Sequence, residues 1–370
     1  MNSIEIIFYI FVVVVLIQFI FYTIFLTQFA FLKPKKHYKK NIAVSVIICA
    51  KNEAKNLKEF LPSIINQDYS SFEIVLINDG SSDKTLKVMQ KFASENDTIK
   101  IVDVKNIEAF WGNKKYALTL GIKAASHNFL LFTDADCKPV SKNWIKDMCS
   151  HFSKEKTIVL GYSGYAKVKN SLLNKLIRFE TLLTAIQYFS FANLGMPYMG
   201  VGRNLGYRKD EFFNAKGFMS HMDIKSGDDD LFINQVANIK NTNVCFLKES
   251  FTLSNPKRSF KSWYAQKRRH VSTAKRYKTK HKMVLSLFFL SQFLFWFLAI
   301  TLLLLLFKCK IVVGLIILRL GFLFVVFAFS TKRLGDKDVL FLLPFLELFL
   351  IMFQLTIFIS NLVSRQTYWK

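Results

Sequence analysis

The stretch Phe129 to Pro139 reads Phe-Leu-Leu-Phe-Thr-Asp-Ala-Asp-Cys-Lys-Pro, an apolar run that stops at two carboxylates, Asp134 and Asp136. Apolar and β-favouring residues that end at a turn signal predict a buried strand, so we expect both carboxylates at the edge of a sheet. Such a pair suits Mg²⁺, which usually takes one or two protein carboxylates and leaves its other positions to water and substrate phosphate. A solvated turn explains the same residues, because Asp is common in turns.

The chain before this stretch alternates strand and helix signals. Strands are predicted at Val44–Cys49, Phe72–Ile77 and Ile99–Val104, and helices at Glu53–Asn66, Asp83–Ser94 and, after a Gly112-Asn113 turn, Lys114–Ser126. Repeated strand-helix-strand units predict an α/β fold with a mostly parallel sheet that is covered on both faces. No Gly-x-Gly-x-x-Gly follows the first strand, which argues against a dinucleotide fold of the NAD type.

Three polar turns follow predicted strands and are therefore expected at one edge of the sheet. They are Ala50–Glu53, Asn78–Asp83 and Asp134–Asp136. In open α/β sheets ligands bind outside the carboxyl ends of the strands. The sequence therefore predicts a ligand site where these turns meet.

Apolar residues are concentrated in four segments. Ile6–Leu32 and Val284–Phe307 carry no charge, Ile311–Ser330 is interrupted by Arg319, and Val339–Ser364 contains Glu347 and Pro344. Each segment reaches the length of roughly 20 residues that a helix needs to cross a hydrocarbon core about 30 Å thick. We predict four membrane segments.

The first segment is predicted to be an uncleaved anchor. Its apolar run is too long for a signal peptide, it starts with Glu5 rather than a basic region, and no small-residue cleavage site follows. Lys33, Lys35, Lys36, Lys39 and Lys40 come directly after it, and such clusters mark the cytoplasmic side. The middle of the chain is therefore expected in the cytoplasm. Four crossings would place Arg365 and Lys370 outside, against the same tendency, so one later segment could be re-entrant.

The formal net charge of +25 has a local source. Eleven Lys or Arg and no acidic residue lie between Asn255 and Lys282, just before the second apolar segment. Basic residues at this place predict a surface for anionic lipids, worth about 1 kcal/mol per cation. Membrane anchoring makes the rival interpretation, nucleic-acid binding, the weaker one. Five Cys without paired spacing indicate a reducing compartment rather than a disulfide framework.

Five motifs follow one another along the chain. They are Val44-Ser-Val-Ile-Ile-Cys-Ala-Lys-Asn-Glu53, Ile77-Asn-Asp-Gly-Ser-Ser-Asp83, Asn113-Lys-Lys-Tyr-Ala117, Thr133-Asp-Ala-Asp136 and Ser226-Gly-Asp-Asp-Asp-Leu231. In order and spacing, from Val44 to about His270, they resemble the membrane-anchored family 2 glycosyltransferases. The resemblance implies a GT-A fold, a nucleotide diphosphate sugar as donor, inversion at the anomeric carbon, and Mg²⁺ or Mn²⁺ as cofactor.

The resemblance also implies roles on the nucleotide side of the site. Asp79 matches the aspartate that accepts hydrogen bonds from uracil or ribose, with a turn-capping role as the alternative. Glu53 resembles the family's nucleotide-side glutamate, although an ordinary carboxylate in the first turn of a helix would look identical. Lys114 resembles the lysine near the diphosphate, or is a solvated charge at a helix start.

The remaining motifs are expected to carry the metal and the base. Asp136, with Asp134 in its first or second shell, would hold the metal that offsets charge on the diphosphate leaving group. The acceptor hydroxyl must lose a proton to a positioned carboxylate, and the family pattern names Asp228, with Asp229 second. Adjacent acids repel one another, so a raised pKa is expected among Asp228, Asp229 and Asp230. An acidic helix N-terminus is the alternative.

Two segments outside these motifs supply further candidate donor ligands. Arg203 and Asn204 would hold a phosphate and a sugar hydroxyl, in a segment where Gly200 and Gly202 allow close approach of backbone to ligand. Gln266 and Arg269 would contact the diphosphate, or belong to the basic membrane-facing stripe.

The Gln266 to His270 segment departs from the family at one position. It resembles the Gln-x-x-Arg-Trp signature of processive members, but His270 replaces the Trp that stacks on the acceptor sugar there. This replacement argues against processive polymerisation.

Two apolar regions contain charged residues. Ser171–Tyr198 is interpreted either as a helix that covers the sheet or as an interfacial helix that brings a lipid-linked acceptor to the site. Arg319 and Glu347 each fall nine residues into their segments, so antiparallel neighbours would bring both near the midplane. We expect a structural ion pair.

The predicted organisation has four parts: an N-terminal transmembrane anchor at 6–32, a cytoplasmic GT-A domain at 41–270, a basic membrane-proximal segment at 255–282 and a C-terminal transmembrane region of about three segments at 284–364. The predicted protein is a multi-pass inner-membrane hexosyltransferase that moves a sugar, with UDP as the expected nucleotide, to a lipid-linked or membrane-proximal glycan. A processive polysaccharide synthase and a catalytically inactive membrane scaffold of the same fold are the alternatives. The complete acidic motifs argue against the scaffold.

Overall fold

A computed structural model of the chain describes residues 2–34, 41–105, 114–224 and 226–363. Ten strands occur: β1 Val44–Ala50, β2 Phe72–Asp79, β3 Ile99–Val104, β4 Phe129–Phe132, β5 Cys137–Pro139, β6 Ile158–Leu160, β7 Ser163–Tyr165, β8 Leu205–Arg208, β9 Thr242–Val244 and β10 Thr252–Ser254. The helices are α1 Ser3–Ile20, α2 Thr27–Ala30, α3 Ala54–Ile65, α4 Thr85–Glu95, α5 Lys114–Ala124, α6 Trp144–Ser150, α7 Leu172–Asn193, α8 Lys209–Asn214, α9 Asp230–Val236, α10 Phe260–Thr273, α11 Thr279–Leu304, α12 Cys309–Leu334 and α13 Leu343–Val363. A π-helical turn, Phe21–Leu26, joins α1 to α2.

The chain divides into two compact units. Among the described residues, one unit, the sheet unit, comprises those within 34–169 and 195–257; the other, the helical unit, comprises 2–33, 170–194 and 258–363. The domain boundaries expected from the sequence stay a prediction.

The sheet unit is built on seven strands in the order β3-β2-β1-β4-β8-β6-β9. The first four are parallel, with Val44 opposite both Phe72 and Phe129, and β8 runs antiparallel between β4 and β6. A second sheet has the order β5-β10-β7. Because β1 is flanked on both sides and covered on both faces, six of its seven residues are buried. This arrangement confirms the predicted α/β fold with a mostly parallel sheet.

Element ends differ from the sequence prediction in ways that concern the site. Strand β2 extends two residues further, to Asp79, because Asn78 and Asp79 pair with β3. Strand β4 stops at Phe132, before a turn closed by a hydrogen bond from the Cys137 N–H to the Asp134 carbonyl (3.0 Å). Helix α4 starts at Thr85, where the Asp83 carboxylate accepts from the Thr85 N–H (2.8 Å). The Gly112-Asn113 turn lies outside the described residues.

In its described residues, the helical unit contains four helices that are long and apolar enough to cross a membrane. They span Ser3–Ala30, Thr279–Leu304, Cys309–Leu334 and Lys337–Val363. These correspond to the four predicted segments. The Lys35 to Lys40 cluster and the C-terminal Arg365 and Lys370 lie outside the described residues.

A buried ion pair joins α12 to α13 in this unit. Arg319 Nη2 lies 2.5 Å from Glu347 Oε1, which confirms the predicted pair. The same Nη2 donates to Gln18 Oε1 (2.8 Å) and Tyr22 Oη (2.9 Å), and Gln292 Nε2 donates to Glu347 Oε1 (3.1 Å). The network therefore connects all four candidate spans.

Helix α7 belongs to the helical unit and not to the sheet unit. Phe189 stacks on Phe29 at 5.0 Å between ring centroids, and Phe179 on Phe327 at 5.4 Å. Its buried Arg178 donates to Asp336 Oδ1 (2.6 Å) and to Asp338. Helix α7 therefore packs on the apolar helices, and the interpretation of 171–198 as a helix that covers the sheet stays a prediction. The interfacial role stays a prediction.

Candidate active site

Two loops at the carboxyl ends of β1 and β2 are tied together. Asn52, with a positive φ of 57°, accepts at its side-chain oxygen from the Ser82 N–H (2.9 Å). The Ala54 N–H donates to Asp83 Oδ2 (3.3 Å), and the Glu53 N–H donates to Thr85 Oγ1 (2.8 Å). The Asn-Glu motif and the Asp-Gly-Ser-Ser-Asp motif therefore form one rim of the site.

Asp79 is the last residue of β2 and is buried at this rim. Burial raises the pKa of its carboxyl group, and the Lys51 ammonium, 3.8 Å away, partly opposes that rise. Glu53 precedes α3, and its carboxylate lies near enough to Asp136 to raise the pKa of that group further. Both predicted nucleotide-side acids are therefore at the sheet edge.

Asp134, Asp136 and Cys137 offer ligand atoms that all lie within 4.8 Å of one another. Burial, together with the neighbouring Asp134 carboxylate, raises the pKa of Asp136, as expected for two acids that share a site. A hard divalent cation held by both carboxylates would relieve this repulsion, so the donor set fits Mg²⁺ or Mn²⁺. Burial raises the pKa of the Cys137 thiol, and its Sγ lies 2.9 Å from Ser254 Oγ. The carboxylate oxygens of Asp134 and Asp136 are therefore the suitable metal ligands.

Lys114, the first residue of α5, connects the metal candidates to the acidic motif. Its Nζ lies 3.1 Å from Asp134 Oδ1 and 2.9 Å from Asp228 Oδ2. Burial by itself would lower the pKa of this ammonium, but the two carboxylates outweigh burial and raise it. The side chain is 18% exposed, so the cation is fixed inside the site.

Asp228 and Asp229 are adjacent but sit in different electrostatic environments. Despite burial, the Lys114 ammonium lowers the pKa of Asp228. Burial and the charges of Asp228 and Asp230 raise the pKa of Asp229 to about 7. A carboxyl group poised near neutral pH is suited to general base catalysis.

Backbone groups orient the Asp229 carboxylate. Its Oδ2 accepts from the Gly202 N–H (2.7 Å), and its Oδ1 from the Asp230 N–H (2.7 Å). A Cβ at Gly202 would lie 3.3 Å from Asp229 Oδ2, so glycine permits the close approach. Gly227, at a φ of 95°, allows the turn that enters the motif.

The floor of the site is apolar. The residues that line the cavity between Lys114 and Asp229 are Ile47, Cys49, Lys114, Leu118, Phe132, Thr133, Asp134, Gly202, Leu205, Tyr207, Asp228 and Asp229. Tyr207 stacks on Phe132 at 4.4 Å between ring centroids. Apolar surroundings strengthen the electrostatic interactions between Lys114 and the neighbouring carboxylates.

Arg203 and Asn204 are neighbours in sequence with different surroundings. Arg203 Nη1 donates to Ser254 Oγ (3.1 Å), its guanidinium lies 4.5 Å from the centroid of the Tyr165 ring, and its charge partly opposes the rise in the pKa of Asp136. Arg203 is therefore beside the metal candidates. Asn204 is fully buried, its Nδ2 donates to the carbonyls of Tyr162 (2.7 Å) and Ser250 (2.8 Å), and its Oδ1 accepts from Trp144 Nε1 (3.0 Å).

These contacts correct the expectation for Asn204. Both polar atoms of its amide are engaged inside the protein, with partners on α6 and on the segments that precede β7 and β10, so it has no accessible atom for a sugar hydroxyl. Gln266 and Arg269 lie on α10 of the helical unit, and their contact with the donor stays a prediction.

The sequence analysis does not identify the roles of three residues at the site. Lys51 pairs with Asp79, the Gly202 N–H binds Asp229 rather than a ligand, and buried Lys115 donates to the loop before the acidic motif. The adjacent Lys114-Lys115 pair is a detectable signal, but the sequence does not show that their ammonium groups point to different partners.

The fold and this site define a family, and comparison with known families agrees. The chain matches the "Glycosyl transferase family group 2" over residues 129–358 and the "Glycosyl transferase family 2" over residues 45–212. The chain belongs to the family 2 glycosyltransferases and has their GT-A fold.

Curated relatives resemble part of this chain. It is 35% identical over 113 residues to an uncharacterized glycosyltransferase of Haemophilus influenzae, a match that covers 30% of this chain and 33% of the relative. It is 34% identical over 102 residues to a poly-beta-1,6-N-acetyl-D-glucosamine synthase of Staphylococcus epidermidis, covering 28% of this chain and 24% of the synthase. The matches thus span a third or less of these relatives.

A solved structure resembles nearly the whole chain. It is the mannosyltransferase PcManGT from Pyrobaculum calidifontis, determined in complex with GDP-Man and Mn²⁺, with a TM-score of 0.59 and 16% identity. The alignment covers 93% of this chain and 99% of that protein. At this identity the likeness supports the fold.

Proposed function

We propose that this protein is a membrane-integral, inverting, metal-dependent hexosyltransferase. It moves a sugar from a UDP-sugar to a lipid-linked or membrane-proximal glycan acceptor in cell-surface glycan biosynthesis. The observation that carries the proposal is the meeting of Asp79, the Asp134–Asp136 pair and the Asp228–Asp229 pair at one sheet edge, where Lys114 is ion-paired with Asp134 and Asp228. A nucleotide site, a metal site and a base are the three parts that this chemistry needs.

The donor would lie along the rim formed by the first two loops. Asp79 and Glu53 would offer acceptors to the hydroxyl and N–H groups of the nucleoside, and the position of Asp79 at the end of β2 supports this role. Arg203, beside Asp136, would contact the diphosphate. Contacts of Gln266 and Arg269 with the diphosphate, predicted from the sequence, also belong to this proposal.

Asp136 and Asp134 would hold Mg²⁺ or Mn²⁺. When bound there, the ion supplies positive charge to the diphosphate oxygens as the bond to the sugar breaks. The Lys114 ammonium contributes charge at the same place, because it already lies 3.1 Å from Asp134. Its interaction with the leaving group requires no proton transfer.

The base is better assigned to Asp229 than to Asp228. Asp228 is ion-paired with Lys114 and has a lowered pKa, so it is a weak proton acceptor. Asp229, with its pKa near 7 and its orientation fixed by Gly202, would take the proton of the acceptor hydroxyl. The acceptor oxygen then forms its bond to the anomeric carbon while the bond from that carbon to the diphosphate oxygen breaks.

The membrane setting follows from the helical unit. We propose that its four candidate spans are inserted in the inner membrane, and that the sheet unit faces the cytoplasm, where nucleotide sugars are found. Exposed cations of the 255–282 segment, such as Lys261, Lys275 and Lys280, would then meet anionic lipid headgroups. The predicted boundaries at 6–32, 41–270 and 284–364 belong to this proposal.

Processive synthesis is the second candidate function. The similarity to a poly-beta-1,6-N-acetyl-D-glucosamine synthase favours it, whereas His270 in place of the stacking Trp opposes it. Product length, measured by mass spectrometry, separates one addition from many.

Nucleotide release tests the proposal. Membranes that contain the full chain are given a panel of UDP- and GDP-sugars, with Mn²⁺ or with a chelator. We expect metal-dependent release of UDP from one donor, loss of release in Asp229→Asn, and normal release in Asp97→Asn, an exposed control in the turn between α4 and β3. Release from no donor, with membrane lipids supplied, would contradict transfer activity.

A further inference from the structure

Helix α5 begins with two lysines whose ammonium groups have separate partners. Lys114 lies between Asp134 and Asp228, as described above. Lys115 is 1% exposed, and its Nζ donates to the backbone carbonyls of His221 (2.6 Å) and Ile224 (2.9 Å). A buried lysine that donates to two carbonyls fixes the backbone that carries them, because leaving either partner unsatisfied is costly.

That backbone leads directly to the acidic motif. The two carbonyls precede the loop that contains Gly227, Asp228 and Asp229, and α9 begins only at Asp230. In the described part of this loop, regular secondary structure is absent. Its position therefore depends on contacts such as those made by Lys114, Lys115 and the Gly202 N–H.

The charge of Lys115 also fits its surroundings. The ionisable groups that act on it electrostatically are Asp223, Asp228, Asp229, Asp230 and His221. Burial lowers the pKa of Lys115 to about 8 against the opposing effect of the carboxylates, so it is mainly cationic at neutral pH. Burial lowers the pKa of His221 to about 4, so the imidazole is neutral there. Lys115 thus offsets part of the acidic charge of these carboxylates.

We propose that Lys115 is a positioning residue of the transfer reaction, clamping the loop that carries Asp228 and Asp229 so that Asp229 stays on Gly202 and Asp228 on Lys114. Lys115 acts through the aspartates and contacts no substrate. This inference rests on the proposed function, since it assigns Lys115 a role in that site. A displacement of the base by about 1 Å can cost about 100-fold in rate, which sets the size of the expected effect.

The test compares Lys115→Met, which keeps the length of the side chain without its charge, with Lys115→Arg and with Lys123→Met. Lys123 is an exposed lysine on the same helix and serves as the matched control. Three quantities are measured on the full chain in detergent: affinity for UDP with Mn²⁺, the kcat and KM of UDP release, and hydrogen exchange of the 219–229 amides.

We expect Lys115→Met to bind UDP as tightly as the natural protein, to lose about 100-fold in kcat with an unchanged KM, and to lose exchange protection only in 219–229. Lys115→Arg retains a charged donor and is expected to recover part of the kcat. An unchanged kcat in Lys115→Met would overturn the proposal. A parallel loss of UDP affinity and of protection throughout the sheet unit would also overturn it, because that pattern indicates general stability.

If Lys115→Met does not fold, Lys115→Gln is read by the same criteria, since it removes the charge and shortens the side chain that reaches the two carbonyls. Failure of both to fold would count against a specific positioning role. Failure of the proposed function has a different signature: the natural protein itself would then release nucleotide from no donor.

Discussion

Lys114 Nζ lies 2.9 Å from Asp228 Oδ2, which neutralises the first aspartate of the acidic motif and leaves the second one, Asp229, with a raised pKa. One lysine thereby separates the properties of two identical neighbouring side chains. The same ammonium lies 3.1 Å from Asp134, so the metal candidates and the first aspartate of the acidic motif share a counter-ion. A substitution of Lys114 should therefore affect both the metal candidates and the acidic motif.

Replacement of Lys114 by Met should impair catalysis more than folding. The variant loses the cation that would offset leaving-group charge, an electrostatic effect of about 100-fold in kcat. It should also raise the pKa of Asp228, because the carboxylate keeps its burial without its partner. Steady-state UDP release measures the first effect, and Lys123→Met is the control. Normal kcat in Lys114→Met would contradict a role at the diphosphate.

Activity should rise with pH through about 7. Asp229 has a raised pKa of about 7, so the carboxyl group is protonated below that pH and cannot accept the acceptor's proton. We expect kcat/KM for UDP release to fall about tenfold for each pH unit below the pKa, and Asp229→Asn to lower kcat about 1,000-fold at every pH. A profile that is flat between pH 5.5 and about 8 would assign the base elsewhere.

The raised pKa of Asp229 also predicts how the stability of the protein depends on pH. The folded-state pKa of Asp229 is higher than its unfolded value, so folding favours the protonated form, and stability declines as pH rises from about 4 to about 7. Above about pH 7, the ionised Asp229 carboxylate destabilises the folded state by a constant amount. Asp229→Asn should therefore raise the thermal midpoint at pH 8 in the presence of a chelator, and leave it nearly unchanged at pH 4. Equal shifts at both pH values would show that the gain is unrelated to ionisation.

Asp136→Asn should abolish the response to metal. Two carboxylates share this place, and the substitution removes one charged ligand while it relieves their repulsion. We expect Mn²⁺ binding, followed by calorimetry or by the paramagnetic spectrum of the ion, to weaken strongly, and UDP release to lose its dependence on Mn²⁺. Asp68→Asn, an exposed aspartate on the same unit, is the control. Unaltered Mn²⁺ affinity in Asp136→Asn would move the metal site away from this pair.

Glu347→Gln should destabilise the helical unit. The substitution leaves Arg319 buried without its anionic partner, and breaking a buried pair on one side costs about 3 kcal/mol or more. The thermal midpoint in detergent should fall, with little change in UDP affinity of the folded fraction. The exposed Glu59→Gln serves as control. Unchanged stability in Glu347→Gln would remove the structural role of the pair.

Neutralising Lys261, Lys275 and Lys280 to Gln should weaken the dependence on anionic lipid. Each cation near the headgroups is worth about 1 kcal/mol. In nanodiscs of increasing anionic lipid content, the natural protein should gain UDP-release activity or stability, and the triple variant should gain less. Neutralising Lys58, Lys87 and Lys123, exposed on the sheet unit, is the control with the same change in net charge. Identical lipid responses in all three proteins would contradict the lipid surface.

Much of the fold could be predicted because it depends on local patterns. The β-branched run at Val44 and the apolar run before Asp134 each predict a buried strand, and the alternation with helices predicts a parallel sheet. The ends were less predictable, since Asn78 and Asp79 become part of β2 only through pairing with β3. For helix α7, apolar composition alone did not distinguish packing on a sheet from packing on other helices.

By itself, the sequence determined the family, the α/β fold, the four apolar segments and which acidic motifs are candidates for the site, because each follows from the order, spacing and hydrophobic period of the residues. Only the tertiary structure decided the state of the individual groups. Asn204 lies next to Arg203 in sequence, yet its amide is engaged inside the protein. Asp228 and Asp229 have opposite pKa shifts because burial and a lysine more than a hundred positions away act on them differently. Desolvation and distance to remote charges exist only in the folded chain.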